Sequence, residues 1–114
     1  MLTIDALKAY GANTDEGLGR CFGNEAFYLR LVGMGLADAN FDNLKNAVEA
    51  GDAKAAFDAA HALKGALGNL SLTPLFDPMC AITDKLRGQS QMQDVSALLA
   101  EILDQRAKAL ALME

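Results

Sequence analysis

An all-α fold is predicted by three features of this 114-residue chain: its stock of helix formers, the spacing of its apolar residues and the punctuation between them. It carries 21 alanines and 18 leucines against three valines and three isoleucines, which favours straight-chain helix formers over β-branched strand formers. In the long segments, apolar residues recur at three- and four-residue intervals. Glycine, proline and short polar residues mark most of the breaks. At 52% hydrophobic and 22% charged the chain is globular, and its length suits one domain over residues 1–114 that needs no metal or disulfide staple.

A short helix from Leu2 to Tyr10 follows from Thr3 as N-cap and from Ile4, Leu7 and Tyr10 on one side, with Gly11 ending it. Asn13 or Thr14 caps a second short helix through Leu18 and Cys21, and Gly23-Asn24 breaks the chain before Glu25. From Phe27 onward Leu29, Val32 and Leu36 keep a helical period, a bend is expected near Asn40, and Leu44, Ala47 and Val48 carry the stripe to Gly51. Gly51 suits a C′ position and Asp52 an N-cap for a helix over 53–71. After it, either Thr73 caps a helix with Pro74 in its first turn and Pro78 inside, or Asp77 caps one that begins at Pro78. Cys80, Ile82 or Thr83, and Leu86 form the inward side of that helix. A last helix over about 92–113 holds Val95, Leu98, Leu99, Ile102, Leu103 and Leu110 in period. Four long segments with short links make an antiparallel four-helix bundle, the short additional N-terminal helices packing at one end.

Net charge is −5 and the ten basic residues are scattered, so nothing marks a nucleic-acid surface. No run approaches the roughly 20 apolar residues of a membrane span, and no signal peptide is evident, so a cytoplasmic protein is expected. Cys21 and Cys80 are expected as buried thiols, and a lone histidine offers no zinc set, so no metal site is expected. No phosphate-cradling loop is present. The chain therefore handles no nucleotide by itself.

At about 100° per residue, taking His61 as zero, Ala56, Ala59, Ala60, Leu63, Ala66, Leu67 and Leu70 fall between about 140° and 260°, a single core face. His61 points away from it, sharing the outward side with Lys54, Phe57, Asp58, Lys64, Gly65 and Gly68. An exposed helical histidine is ordinarily just surface, but each of these glycines costs roughly 0.5–1 kcal/mol in a helix interior. Read from the wheel, neither serves the core, so both are expected to clear space beside the imidazole. Lys64, one turn on, can bring an ammonium to an anion held there. Imidazole is a capable nitrogen nucleophile near neutral pH, and the combination suits a phosphoryl group. Asp58 can reach the ring from i−3, although a solvated acid is the simpler reading.

The run Ala60-His61-Ala62-Leu63-Lys64-Gly65-Ala66-Leu67-Gly68-Asn69-Leu70 closely resembles the A-H-x-L-K-G-x-x-x-N-[LI] signature of the histidine-containing phosphotransfer (HPt) domain family. The resemblance extends over roughly residues 13–88, through Gly23-Asn24-Glu25 with Phe27-Tyr28, Gly51-Asp52, and Cys80 to Arg87. Ala62 replaces a hydroxyl residue common after the histidine, Ser71-Leu72 stands where many members have Gly-Ala, and Thr83-Asp84 where they have Leu-Glu.

The resemblance implies a bacterial phosphorelay intermediate that moves phosphoryl groups between receiver-domain aspartates, or from a hybrid sensor histidine kinase to a response regulator. By position, His61 would be the phosphoryl acceptor, Lys64 its charge partner, Gly65 and Gly68 the docking clearance, and Asn69 a support for the helix end or the phosphate surroundings. Phe57 is expected as an exposed apolar anchor for the partner, or else tucked against a neighbouring helix. The chain would be a free-standing monomer and a stoichiometric carrier rather than an enzyme, with no cofactor of its own and Mg²⁺ supplied by the partner receiver. Two rivals remain at this stage. One is a non-phosphorylated bundle that docks and sequesters a receiver; the other is a metal-dependent or general-base enzyme built on the same histidine.

Overall fold

The computed structural model describes all residues from Met1 to Glu114 and consists of seven helices without strands. They are α1 (Ile4–Tyr10), α2 (Thr14–Arg20), α3 (Glu25–Leu36), α4 (Asn40–Glu49), α5 (Ala53–Asn69), α6 (Thr73–Leu86) and α7 (Ser96–Ala111). Thr3, Asn13, Asn24 and Asp52 each accept a hydrogen bond from a backbone N–H in the first turn that follows, so four helix starts are fixed by side-chain caps. Gly11 (φ 113°) and Gly51 (φ 71°) take the left-handed conformations that end α1 and turn α4 into α5.

Three-residue links join α4 to α5 and α5 to α6, and helices joined so tightly while packed face to face must run antiparallel. α5 packs most extensively on α4 and α6, α6 continues onto α7, and α3 meets α7, which closes the ring. The inward face of α5 is Ala53, Ala56, Ala59, Ala60, Leu63 and Leu67, all buried, whereas Ala66 is only partly so. Four of these six are alanine, so neighbouring helices can approach closely at its N-terminal half. Leucines and aromatics fill the rest of the core, with Tyr28, Phe41, Leu44, Leu75, Met79 and Ile82 among its buried side chains.

The structure departs from the sequence expectations at several places. Near Asn40 the chain breaks rather than bends. The Asp38 carboxylate accepts from the Asn40 N–H at 2.8 Å, Arg106 of α7 donates to the Leu36 carbonyl at 2.9 Å, and its guanidinium lies 4.4 Å from the Phe41 ring centroid. Arg106 thus satisfies a carbonyl released where α3 stops and holds the first turn of α4 by a cation–π contact. The helix bearing His61 ends at Asn69 instead of residue 71, because Ser71 turns left-handed at φ 56°.

Of the two starts open for α6, the structure takes the earlier. Leu72 is the cap residue, Thr73 supplies no side-chain cap, Pro74 lies in the first turn and Pro78 is buried inside the helix. Thr83, also buried there, donates its hydroxyl to the Met79 carbonyl at 2.7 Å and leaves no unmet polar atom. α7 begins at Ser96 rather than about residue 92, with the Asp94 carboxylate accepting from both the N–H and the hydroxyl of Ser96. Cys21 is buried, but Cys80 is partly exposed. Phe22, Phe27 and Met34 remain exposed along the α2–α3 turn and α3, so closing the bundle does not cover every large apolar side chain.

Candidate functional site

α5 carries His61 on its outer face, exposed, as the helical wheel requires when the opposite face is the core. Beside it runs an open groove whose walls come from three elements. His61, Lys64, Gly65, Gly68 and Asn69 belong to α5; Thr73, Phe76 and Asp77 belong to the first turns of α6; Glu16 and Arg20 reach in from α2, with Ser71 at the corner. Five of the six site residues expected from sequence therefore share one groove. Phe57 is the sixth and lies outside it.

At the His61 end the groove is bare. A Cβ placed on Gly65 would meet nothing within 4 Å. Lys64 is partly exposed and engages in no salt bridge, so its ammonium is available to an anion. Burial pushes the Cys80 thiol up, with the Lys64 ammonium pulling it back down. Asp58 does not serve the imidazole; its carboxylate pairs with Lys54 at 3.0 Å along the exposed surface. No group of three or more His, Cys, Asp or Glu side chains comes together anywhere in the fold.

The other end is built. A Cβ on Gly68 would lie 2.8 Å from the Phe76 ring, so this glycine admits an aromatic side chain from α6. That corrects the expectation that Gly68, like Gly65, is empty clearance: the wheel placed it outward from its own helix, and α6 arrives there. Beyond it, α5 ends in a Schellman arrangement, with Ser71 N–H bonded to the Gly68 carbonyl and Leu72 N–H to the Leu67 carbonyl. The left-handed residue is normally glycine, and here it is Ser71, whose hydroxyl donates to Glu16 at 2.9 Å and accepts from Arg20 at 2.7 Å.

Arg20 also donates to the Gly68 and Asn69 carbonyls at 3.2 and 3.1 Å, and Tyr28 donates to the Leu70 carbonyl at 2.7 Å. A cation against the last carbonyls complements the helix dipole. The Arg20 hydrogen bond, then that from Ser71, holds the Glu16 carboxyl below its usual range, while burial raises the Tyr28 hydroxyl. Asn69 contributes its backbone carbonyl to this end and remains exposed. Sequence reasoning missed Arg20, Glu16 and Phe76. Nothing local singles out Glu16 and Arg20, and the one hint was a serine, Ser71, where many members of the family have glycine.

Phe57 is partly buried against the core rather than freely exposed, which corrects the outward anchor and matches the tucked alternative. Its ring stacks on His61 with centroids 5.5 Å apart and planes 12° from parallel, and the Arg87 guanidinium lies 5.3 Å from its centroid.

Searches of curated proteins and of solved structures return no match. A scan against family models returns the Hpt domain over residues 35–112. The match takes in α4 to α7 and leaves out α1, α2 and nearly all of α3, so it lies further toward the C-terminus than the 13–88 read from sequence. No helix of the protein is long and apolar enough to cross a membrane. Since that match spans well over half of the chain and contains both the histidine helix and the bundle around it, the protein belongs to the Hpt domain family of phosphotransfer modules in two-component signalling, whose usual partners are receiver domains.

Proposed function

We propose that this chain is a phosphorelay intermediate that accepts a phosphoryl group on His61, from a receiver-domain aspartate or a hybrid sensor kinase, and passes it to a response regulator. The observation that carries the reading is the setting of the ring: an exposed imidazole beside an unfilled Gly65 and an unpaired Lys64, inside the span that matches the family.

In the accepting step the imidazole lone pair forms a P–N bond while the P–O bond of the aspartyl phosphate breaks. The carboxylate leaves with the bonding electrons and the ring N–H proton passes to solvent. The phosphoryl charge is met by the Lys64 ammonium, and Gly65 lets the partner's surface close on the ring. Mg²⁺ enters with the receiver. Positioning and charge then provide the rate, as phosphoryl transfer requires.

The test is incubation with a phosphorylated receiver domain and detection of an acid-labile phosphoryl adduct. The wild type is expected to form it, His61→Ala to form none, and Lys64→Ala to form it about tenfold more slowly, the loss of one charge-assisted contact. Label persisting on His61→Ala overturns the acceptor assignment. Binding of the receiver without any adduct would make the chain a docking module instead, and turnover of a phosphoester by the isolated chain would make it an enzyme.

A further inference from the structure

Phe57, which stacks on His61, lies outside both the signature run and the groove. Helical side chains lean back toward the N-terminal turn, so the imidazole of His61 is directed over residue 57, one turn earlier. There it meets an aromatic face at 5.5 Å between centroids and 12° between planes, an offset-stacked geometry favoured by aromatic pairs. The nucleophilic lone pair of an imidazole lies in the ring plane. A neighbour on the ring face therefore fixes the plane of the nucleophile without covering the nitrogen.

Phe57 is itself fixed. It is packed on the core at one side, and its ring takes a cation–π contact from Arg87, which arrives from the end of α6 and pairs with Asp84 at 3.5 Å. The plane of the exposed ring is thereby referred to the core. Gly65, one turn to the other side of His61, leaves the approach open. One neighbour holds the imidazole and the other yields to the partner.

We infer that Phe57 is a positioning residue for phosphoryl transfer at His61, holding the imidazole plane by stacking so that the ring nitrogen faces incoming phosphorus before any partner docks. The inference rests on the acceptor reading above and deepens it. A ring freed from the stack spreads over several rotamers, and only some of them are in line.

Two measurements on the intact chain test it. The first is NMR of the His61 ring: the wild type is expected to show ring-current-shifted signals and a single preferred rotamer, and a freely averaging wild-type ring overturns the inference without any variant. The second is the rate of labelling by phosphoramidate, a small donor that needs no docking surface. Its P–N bond breaks as the new P–N bond to the imidazole forms, ammonia leaves, and the ring proton goes to solvent. Phe57→Leu is expected to label about three- to tenfold more slowly, the equilibrium worth of a stacked aromatic pair, and Phe57→Tyr at close to the wild-type rate.

A folded Phe57→Leu that labels as fast as wild type overturns the inference and leaves the acceptor reading standing. A wild type that phosphoramidate never labels, alongside a ring that is nonetheless ordered, removes the acceptor reading and this inference with it.

Discussion

Gly65 and Gly68 share one face of α5, a turn apart, with opposite surroundings. Around Gly65 there is open space, whereas Gly68 is the floor on which the Phe76 ring rests. The two ends of the groove differ in the same way. The His61 end carries a free ammonium and a bare backbone, while the far end carries Arg20, Glu16, Ser71 and Tyr28 satisfying the last carbonyls of α5. The same residue type on the same face therefore meets two surroundings. One glycine leaves open space beside His61, and the other leaves room for an aromatic side chain from the next helix.

The largest effect expected from this contrast is at the packed end. Gly68→Ala gains about 1 kcal/mol of helix propensity but drives a methyl group into an aromatic ring, and overpacking typically costs 1–3 kcal/mol. A net loss of about 1 kcal/mol in urea or thermal unfolding is expected. Pairing the change with Phe76→Ala sharpens the point. With the ring gone the added methyl has room, so the double variant should lose less than the sum of the two single ones, the signature of a direct contact. Strict additivity would break the distinction between the glycines.

The open end should respond with the opposite sign. Gly65→Ala meets no neighbour, so it should stabilise the protein by about 0.5–1 kcal/mol while slowing phosphoryl transfer from a receiver. Greater stability joined to slower transfer is the outcome that identifies a position kept bare for function at some expense to the fold. A stabilised variant with unchanged transfer would leave Gly65 without a role in docking.

These two residues also show how far the sequence could be read. Caps, helix periods and the outward direction of His61 were legible because each depends on neighbours within one or two turns: Thr3, Asn13 and Asp52 cap as their residue types and places suggest. The walls that α2 and α6 bring to the groove were not legible, because they depend on where other helices arrive. A wheel reports which side of α5 Gly68 occupies, but not that Phe76 of α6 covers it. Nor does any local pattern show that Arg20, forty-eight residues from Gly68, donates to its carbonyl. The break after Leu36 has the same origin, since Arg106 of α7 supplies the contact that makes it affordable. What is encoded over one turn of helix was readable, and what is encoded across the bundle was not.

The smallest effect expected is also the one with a pH signature. Glu16 is held below its ordinary carboxyl range, first by the hydrogen bond from Arg20 and then by that from Ser71. A carboxyl with a depressed folded-state pKa binds fewer protons in the native than in the unfolded chain at mildly acid pH. Its contribution is therefore fully present above the unfolded value and is lost as pH falls through the folded one. Glu16→Gln removes that dependence. The variant should be slightly less stable than wild type at neutral pH, and the two unfolding curves should converge as the solution is acidified below the ordinary glutamate range. His61 and Lys64 lie at the other end of the groove, so labelling by phosphoramidate at neutral pH should be unaffected. A stability gap of the same size at every pH would mean that the Glu16 charge does not act through Arg20 and Ser71. A change in labelling rate would mean that the two ends of the groove are coupled, and the division between an open end and a built end would have to be withdrawn.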